Sequence, residues 1–112
     1  MAERRATAPD TAELRRLRRR IDALDRKIVA LLNQRAELAR GVGREKAAAG
    51  RRAIRDLDRE REILLRVAMT NQGPMQQADL LALYRKLFAA TRALEARDRH
   101  AGPTGSEMRD DG

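Results

Sequence analysis

The chain has 112 residues, enough for one domain with a modest core, and carries 25 Lys and Arg against 17 Asp and Glu, a formal charge of +8. It has no cysteine, which excludes disulfides, thiolate nucleophiles and thiolate metal sites. No apolar run approaches membrane-spanning length and the opening MAERRATAPD lacks the apolar core of a signal peptide, so a cytoplasmic protein is expected.

Residues 1–10 are polar, and a disordered N-terminus is expected there. PDTAEL then offers a helix start, with Asp10 or Thr11 as the cap and Glu13 placed as in a capping box. From there Leu14, Leu17, Ile21, Leu24, Ile28, Leu31, then Arg35, then Leu38 and Val42 recur in steps of three and four, a heptad seam. Gly41 and Gly43 weaken this helix without stopping it, and Gly50 suits the left-handed position that ends it. A helix over 11–49 would be about 57 Å long at 1.5 Å per residue. A folded chain of this size has a radius of gyration of only about 13 Å. The chain cannot cover such a helix alone, and an intertwined homodimer is predicted.

AIRDLDREREILLRVAM predicts a second helix with Ile54, Leu57, Leu64, Val67 and Ala68 on one side and Asp56 or Asp58 in its first turn. TNQGPM breaks it. A third helix is predicted from about Met75 to Asp98, with Leu80, Leu81, Tyr84, Leu87, Phe88, Thr91, Leu94 and Glu95 along one face. The remaining segment, HAGPTGSEMRDDG, is rich in glycine and polar residues, and a disordered tail over 99–112 is expected. The fold class is all-α: three helices per chain, the first very long, in a domain spanning 11–98.

Each predicted stripe carries polar groups where the pattern asks for apolar ones. Arg35 and Lys46 stand on the first helix, Glu60 between Leu57 and Leu64 on the second, and Thr91 and Glu95 on the third. An unpaired charge taken out of water costs several kcal/mol, so these groups must meet partners or a polar ligand. One solution is internal pairing, Arg35 with Glu60 and Lys46 with Glu95. The other is a mostly cationic pocket between helices, suited to a small dianion. Arg18 and Arg35 lie roughly 25 Å apart along one helix and cannot grip one small ligand together. In an antiparallel dimer, Arg18 of one copy reaches the pocket of the other. The positive charge also raises nucleic acid as a partner, but one Tyr, one Phe and no Trp leave little for base stacking, and basic and acidic residues are interleaved.

LRRRIDALDRKIVALLNQRAELARGVGREKAAAG, then IRDLDREREILLRV, then LLALYRKLFAATRALEA together resemble the all-helical chorismate mutase family over about residues 14–96. The resemblance implies an intertwined helical dimer with two equivalent sites. It also implies the Claisen rearrangement of chorismate to prephenate, a step of aromatic amino acid biosynthesis, with no metal and no cofactor. It implies that Arg18, donated across the dimer, and Arg35 bind the substrate carboxylates. Lys46 would contact a carboxylate and the ether oxygen, and Asp56, Arg59 and Glu60 would bind substrate, with Glu60 at the ring hydroxyl. Thr91 matches a small hydroxyl residue of the family, and Glu95 stands where the family usually has glutamine. Lys46, Glu95 and Arg35 are the groups expected to act on the transition state.

Glu95 must be protonated to donate to an ether oxygen, so activity falling with rising pH is expected, unless Glu95 merely pairs with Lys46 or an arginine. Two departures flank the site: AAAGRRAI is one residue longer than the family's usual loop, and TNQGPMQQ is short. Two alternatives keep the fold and change the substrate: a mutase of 4-amino-4-deoxychorismate, or an isochorismate pyruvate lyase. A third is a non-catalytic helical module, regulatory or nucleic-acid-binding. A larger partner enzyme that tunes the activity is also compatible with the sequence; no membrane partner is expected.

Overall fold

A computed structural model of the chain describes residues 8–51 and 55–111, with side chains described as far as Ala101. Three helices follow in order: α1 over Ala12–Ala48, α2 over Leu57–Thr70 and α3 over Gln77–Asp111. There is no strand among the described residues, and no described helix is long and apolar enough to cross a membrane. The chain divides into two units, Met1–Arg35 and Ala36–Gly112, with the division inside α1.

The first unit is the N-terminal part of α1 and its cap. Thr11 is the capping residue: its Oγ1 accepts the Leu14 N–H at 3.0 Å and its carbonyl accepts Arg15 N–H at 3.0 Å. Asp10 serves from outside the helix, its carbonyl accepting Arg15 Nη1 at 2.6 Å and its carboxylate pairing with Arg18. Leu14, Leu17, Ile21, Leu24, Ile28 and Leu31 run along α1 as the heptad steps predict, and all six are exposed.

The second unit begins with the last three turns of α1. Gly50, at φ +79°, closes that helix: Gly50 N–H reaches the Ala47 carbonyl at 3.0 Å and Arg51 N–H the Lys46 carbonyl at 2.8 Å. This is the Schellman pairing, and the left-handed backbone it needs favours glycine. The second helix starts at Leu57, later than the sequence pattern suggests, because Asp56 caps it and accepts the Arg59 N–H at 3.0 Å. Ile54 lies outside the described residues. After Thr70, Asn71 organises the turn, accepting Gly73 N–H at 3.0 Å and donating to the Met75 carbonyl at 3.1 Å; the Gly73–Pro74 bond is cis.

The core of this unit lies between α2 and α3, which pack together. Phe88, 5 % exposed, is the one buried apolar residue among the described residues, and Tyr84 meets it edge-on with ring centres 6.2 Å apart. Leu64, Val67 and Ala68 of α2 and Leu80, Leu81, Leu87 and Leu94 of α3 are half-buried around it, as is Ile63, which the predicted stripe omits. Leu57 stays exposed at the helix start.

Two expectations need correcting. Leu38 and Val42, placed on the buried seam by periodicity, are exposed; the half-buried face of α1 here is Ala36, Ala39, Arg40, Gly43 and Lys46. Gly43 leaves room for the Glu95 side chain of α3, and Arg40 reaches Asp98 of α3. The third helix also does not end at Asp98. Ala96 to Ala101 contains no glycine or proline to stop it there, and α3 extends to Asp111.

Candidate active site

Three structural devices bring polar side chains together in the second unit. Lys46 sits in the last turn of α1, Asp56 caps α2 with Glu60 one turn further on, and Thr91, Arg92 and Glu95 share the face of α3 that begins at Phe88. Lys46 Nζ lies 3.8 Å from Asp56 Oδ2, with the lysine side chain only 19 % exposed. Asp56 is held below the usual carboxylate range, first by the Arg59 backbone N–H it accepts and then by the charges of Lys46, Arg51 and Arg59 acting against its burial. It is therefore a fixed negative charge that orients Lys46.

Glu60 is largely enclosed, its side chain 16 % exposed. Arg92 Nη1 donates to its Oε2 at 2.5 Å, and Arg55 Nε lies 3.5 Å from Oε1. Thr91 Oγ1 donates to the Leu87 carbonyl one turn back at 2.9 Å, which fixes its rotamer. Glu95 lies against α1: a Cβ on Gly43 would stand 3.2 Å from Glu95 Oε2. Burial pushes the Glu95 carboxyl above its ordinary range and Asp98 adds to this, while the positive charge of Lys46 opposes both.

Beside this group, Arg40 clamps α1 to α3. Its Nε and Nη2 donate to the two carboxylate oxygens of Asp98 at 2.8 and 2.9 Å. The Arg40 hydrogen bond holds Asp98 below the usual carboxylate range. Around the α1–α2 connection an open cleft of about 360 Å³ is lined by Lys46, Arg51, Arg55, Asp56, Leu57, Asp58 and Arg61.

Of the residues singled out in the sequence, Lys46, Asp56, Glu60, Thr91 and Glu95 sit on the facing parts of α1, α2 and α3. Arg59 does not join them through its side chain, which is half exposed and pairs with Glu62; its backbone N–H serves Asp56 instead. Arg18 and Arg35 belong to the first unit, Arg18 exposed and paired with Asp10, Arg35 half-buried. Glu60 takes Arg92, and Lys46 takes Asp56, as partners that internal pairing of the predicted set does not foresee. Arg92 is the residue the sequence pattern missed, although its place four residues after Phe88 puts it on the predicted face.

The sequence pattern of the family described as chorismate mutase type II matches residues 17–96. The bifunctional chorismate mutase/prephenate dehydratase of Aquifex aeolicus is 38 % identical over 87 residues, which is 74 % of this chain and 24 % of the relative. The protein of the same description from Stutzerimonas stutzeri is 33 % identical over 100 residues, 84 % of this chain and 27 % of the relative. The chain thus spans about a quarter of the length of these bifunctional relatives. Among solved structures, chorismate mutase (form II) from Thermus thermophilus superposes with a TM-score of 0.72 at 30 % identity, covering 76 % of this chain and 96 % of the other. With the matched pattern running through all three helices, and both sequence and fold in agreement, this chain belongs to the type II chorismate mutase family.

Proposed function

We propose that the protein is a chorismate mutase, an isomerase that rearranges chorismate to prephenate, and that it works as a homodimer. The observation that carries this reading is Lys46: a nearly enclosed ammonium held by a capping carboxylate and close enough to Glu95 to act on its charge. A rearrangement of this kind needs no nucleophile and no general base. The ether C–O bond breaks as the new C–C bond forms, and negative charge grows on the departing oxygen. A preorganised cation and a neutral donor at that oxygen are the help the reaction can use. Lys46 supplies the first and protonated Glu95 the second.

The remaining roles follow from charge and position. Arg35 grips one substrate carboxylate, Arg18 of the second copy grips the other, and Glu60 accepts a hydrogen bond from the ring hydroxyl. Thr91 offers a fixed hydroxyl oxygen beside it, and Asp56 and the Arg59 backbone keep Lys46 in place. The exposed apolar line from Leu14 to Leu31 supports the dimer, because it is the surface a second copy would cover. A doubly charged substrate does not cross a membrane unaided, which goes with a cytoplasmic location. The relatives that carry a prephenate dehydratase in the same chain make a partner that consumes the product a natural associate.

Offering the purified protein chorismate, 4-amino-4-deoxychorismate and isochorismate separately, with product identification, tests the reading. Prephenate from chorismate is expected, and Lys46→Gln should lower kcat by roughly two to three decades. A folded dimer that leaves chorismate untouched would overturn it. Shared sites have their own test. Arg18→Ala and Lys46→Ala are each inactive alone, but mixed dimers contain one intact site, so an equal mixture after subunit exchange should recover about a quarter of wild-type activity.

A further inference from the structure

The proposed site contains a cation that the reaction chemistry does not ask for. Arg92 stands between Thr91 and Glu95 on the inner face of α3, 27 % exposed, and donates to Glu60 Oε2 at 2.5 Å. Arg55, largely in solvent, reaches the other Glu60 oxygen at 3.5 Å. Glu60 is therefore a neutralised carboxylate: both oxygens face a guanidinium, and the shorter contact is the enclosed one.

We propose that Arg92 is a specificity-determining residue that makes the site select a substrate bearing a neutral ring hydroxyl over one bearing a ring ammonium. The inference rests on the reading above, in which Glu60 meets that ring substituent. A carboxylate paired with one guanidinium still has lone pairs to accept a hydroxyl proton, so a neutral donor is bound at little electrostatic cost. An ammonium has a different need. Leaving water, it requires a net negative partner, and the Glu60–Arg92 pair has no net charge to offer. The ammonium would also stand within a few ångströms of the Arg92 guanidinium, where like charges in a partly dry site repel. The attraction of Glu60 alone, which would favour the amine, is cancelled by the residue beside it. Discrimination thus comes from a repulsive element as well as an attractive one.

The test compares chorismate with 4-amino-4-deoxychorismate in wild type, Arg92→Met and Arg92→Lys, reading both kcat/KM and the Kd for each compound. Wild type should prefer chorismate. Arg92→Met, which keeps much of the bulk and removes the charge, should shrink that preference by about tenfold or more, and Arg92→Lys should keep it within about threefold. If Arg92→Met loses helicity, Arg92→Gln takes its place with the same expectation. A preference ratio unchanged within about twofold in a folded, uncharged variant overturns the inference, whatever the absolute rates. Its failure differs from that of the parent reading: a wild type that turns over chorismate but keeps its ratio in Arg92→Met sinks only the role of Arg92, and one that neither binds nor converts either compound sinks both.

Discussion

Glu95→Gln isolates the chemistry of one atom at nearly constant shape. In the folded chain burial raises the Glu95 carboxyl, Asp98 one turn on raises it further, and Lys46 pulls the other way. The net direction is upward, so the protonated form persists to higher pH than for an ordinary glutamate. Only that form donates to an ether oxygen. As pH rises through the raised value, the donor population falls about tenfold per pH unit, and kcat/KM should fall with it. The fall ends at a floor set by the loss of one preorganised donor, roughly 3–4 kcal/mol or two to three decades. Stability moves in the same direction: a group whose folded pKa is raised contributes fully below its unfolded value and loses that contribution as pH rises through the folded one. Glutamine donates at every pH, so the variant should be flat over the same range, overtake wild type above the Glu95 titration and lose the decline in Tm that accompanies it. The assay is kcat/KM for chorismate followed upward in pH from the ordinary carboxylate range, with Tm followed in parallel. Identical pH profiles for the two proteins would refute protonated Glu95 as the donor.

Gly43→Ala should separate stability from activity: alanine adds up to about 1 kcal/mol of helix propensity. The new Cβ, 3.2 Å from Glu95 Oε2, pushes that carboxyl aside by a few tenths of an ångström. Activity should then drop roughly three- to tenfold while Tm holds or rises, measured by kcat and thermal unfolding. Asp98→Asn removes the charge and one of the two acceptors of the Arg40 clamp and should lower Tm by a few degrees near neutrality. Because Asp98 is held below its ordinary range, its contribution is present above the unfolded value and lost as pH falls through the folded one, so the variant's Tm should vary less on the acid side.

Much of this was legible in the chain, for reasons that differ by element. Capping and helix-stop chemistry is local, so Thr11 and Gly50 act where the sequence points to them, whereas Asp56, expected in the first turn of α2, caps it instead. The core of α2 and α3 follows the apolar stripe because Tyr84, Phe88, Leu64 and Val67 have one face to bury. Lys46, Glu60, Thr91 and Glu95 could be picked out because polar groups on such stripes are costly without partners, and Asp56 through the family resemblance. Their partners were not legible. Which oxygen Arg92 meets, or that Arg40 spans to Asp98, depends on how two helices are rotated against each other, and periodicity leaves that rotation open by about one residue. The same uncertainty put Leu38 and Val42 on the covered face of α1 in place of Ala39 and Gly43. Arg59 shows a further limit: its backbone, not its side chain, carries the contact to Asp56.

The N-terminal part of α1 exposes an apolar line, with Ile21 at 55 %, Leu24 at 55 %, Ile28 at 51 % and Leu31 at 60 %. Covering the remaining half of each large side chain gains about 1 kcal/mol. Six such residues from Leu14 to Leu31 in each of two copies therefore offer on the order of 12 kcal/mol, against an association cost of about 4–15 kcal/mol. The two are of the same size, so a dimer requires the two lines to meet along their full length, and antiparallel contact is what would deliver Arg18 to the other copy's site. Leu24→Glu, at the middle of the line, places two carboxylates at the pairing surface and should give a monomer by sedimentation. The monomer should lack activity, and the concentration dependence of Tm expected of the wild-type dimer should vanish. A monomeric Leu24→Glu protein with wild-type kcat/KM would show that each chain builds its site alone, and both the dimer and the donated arginine would have to be abandoned.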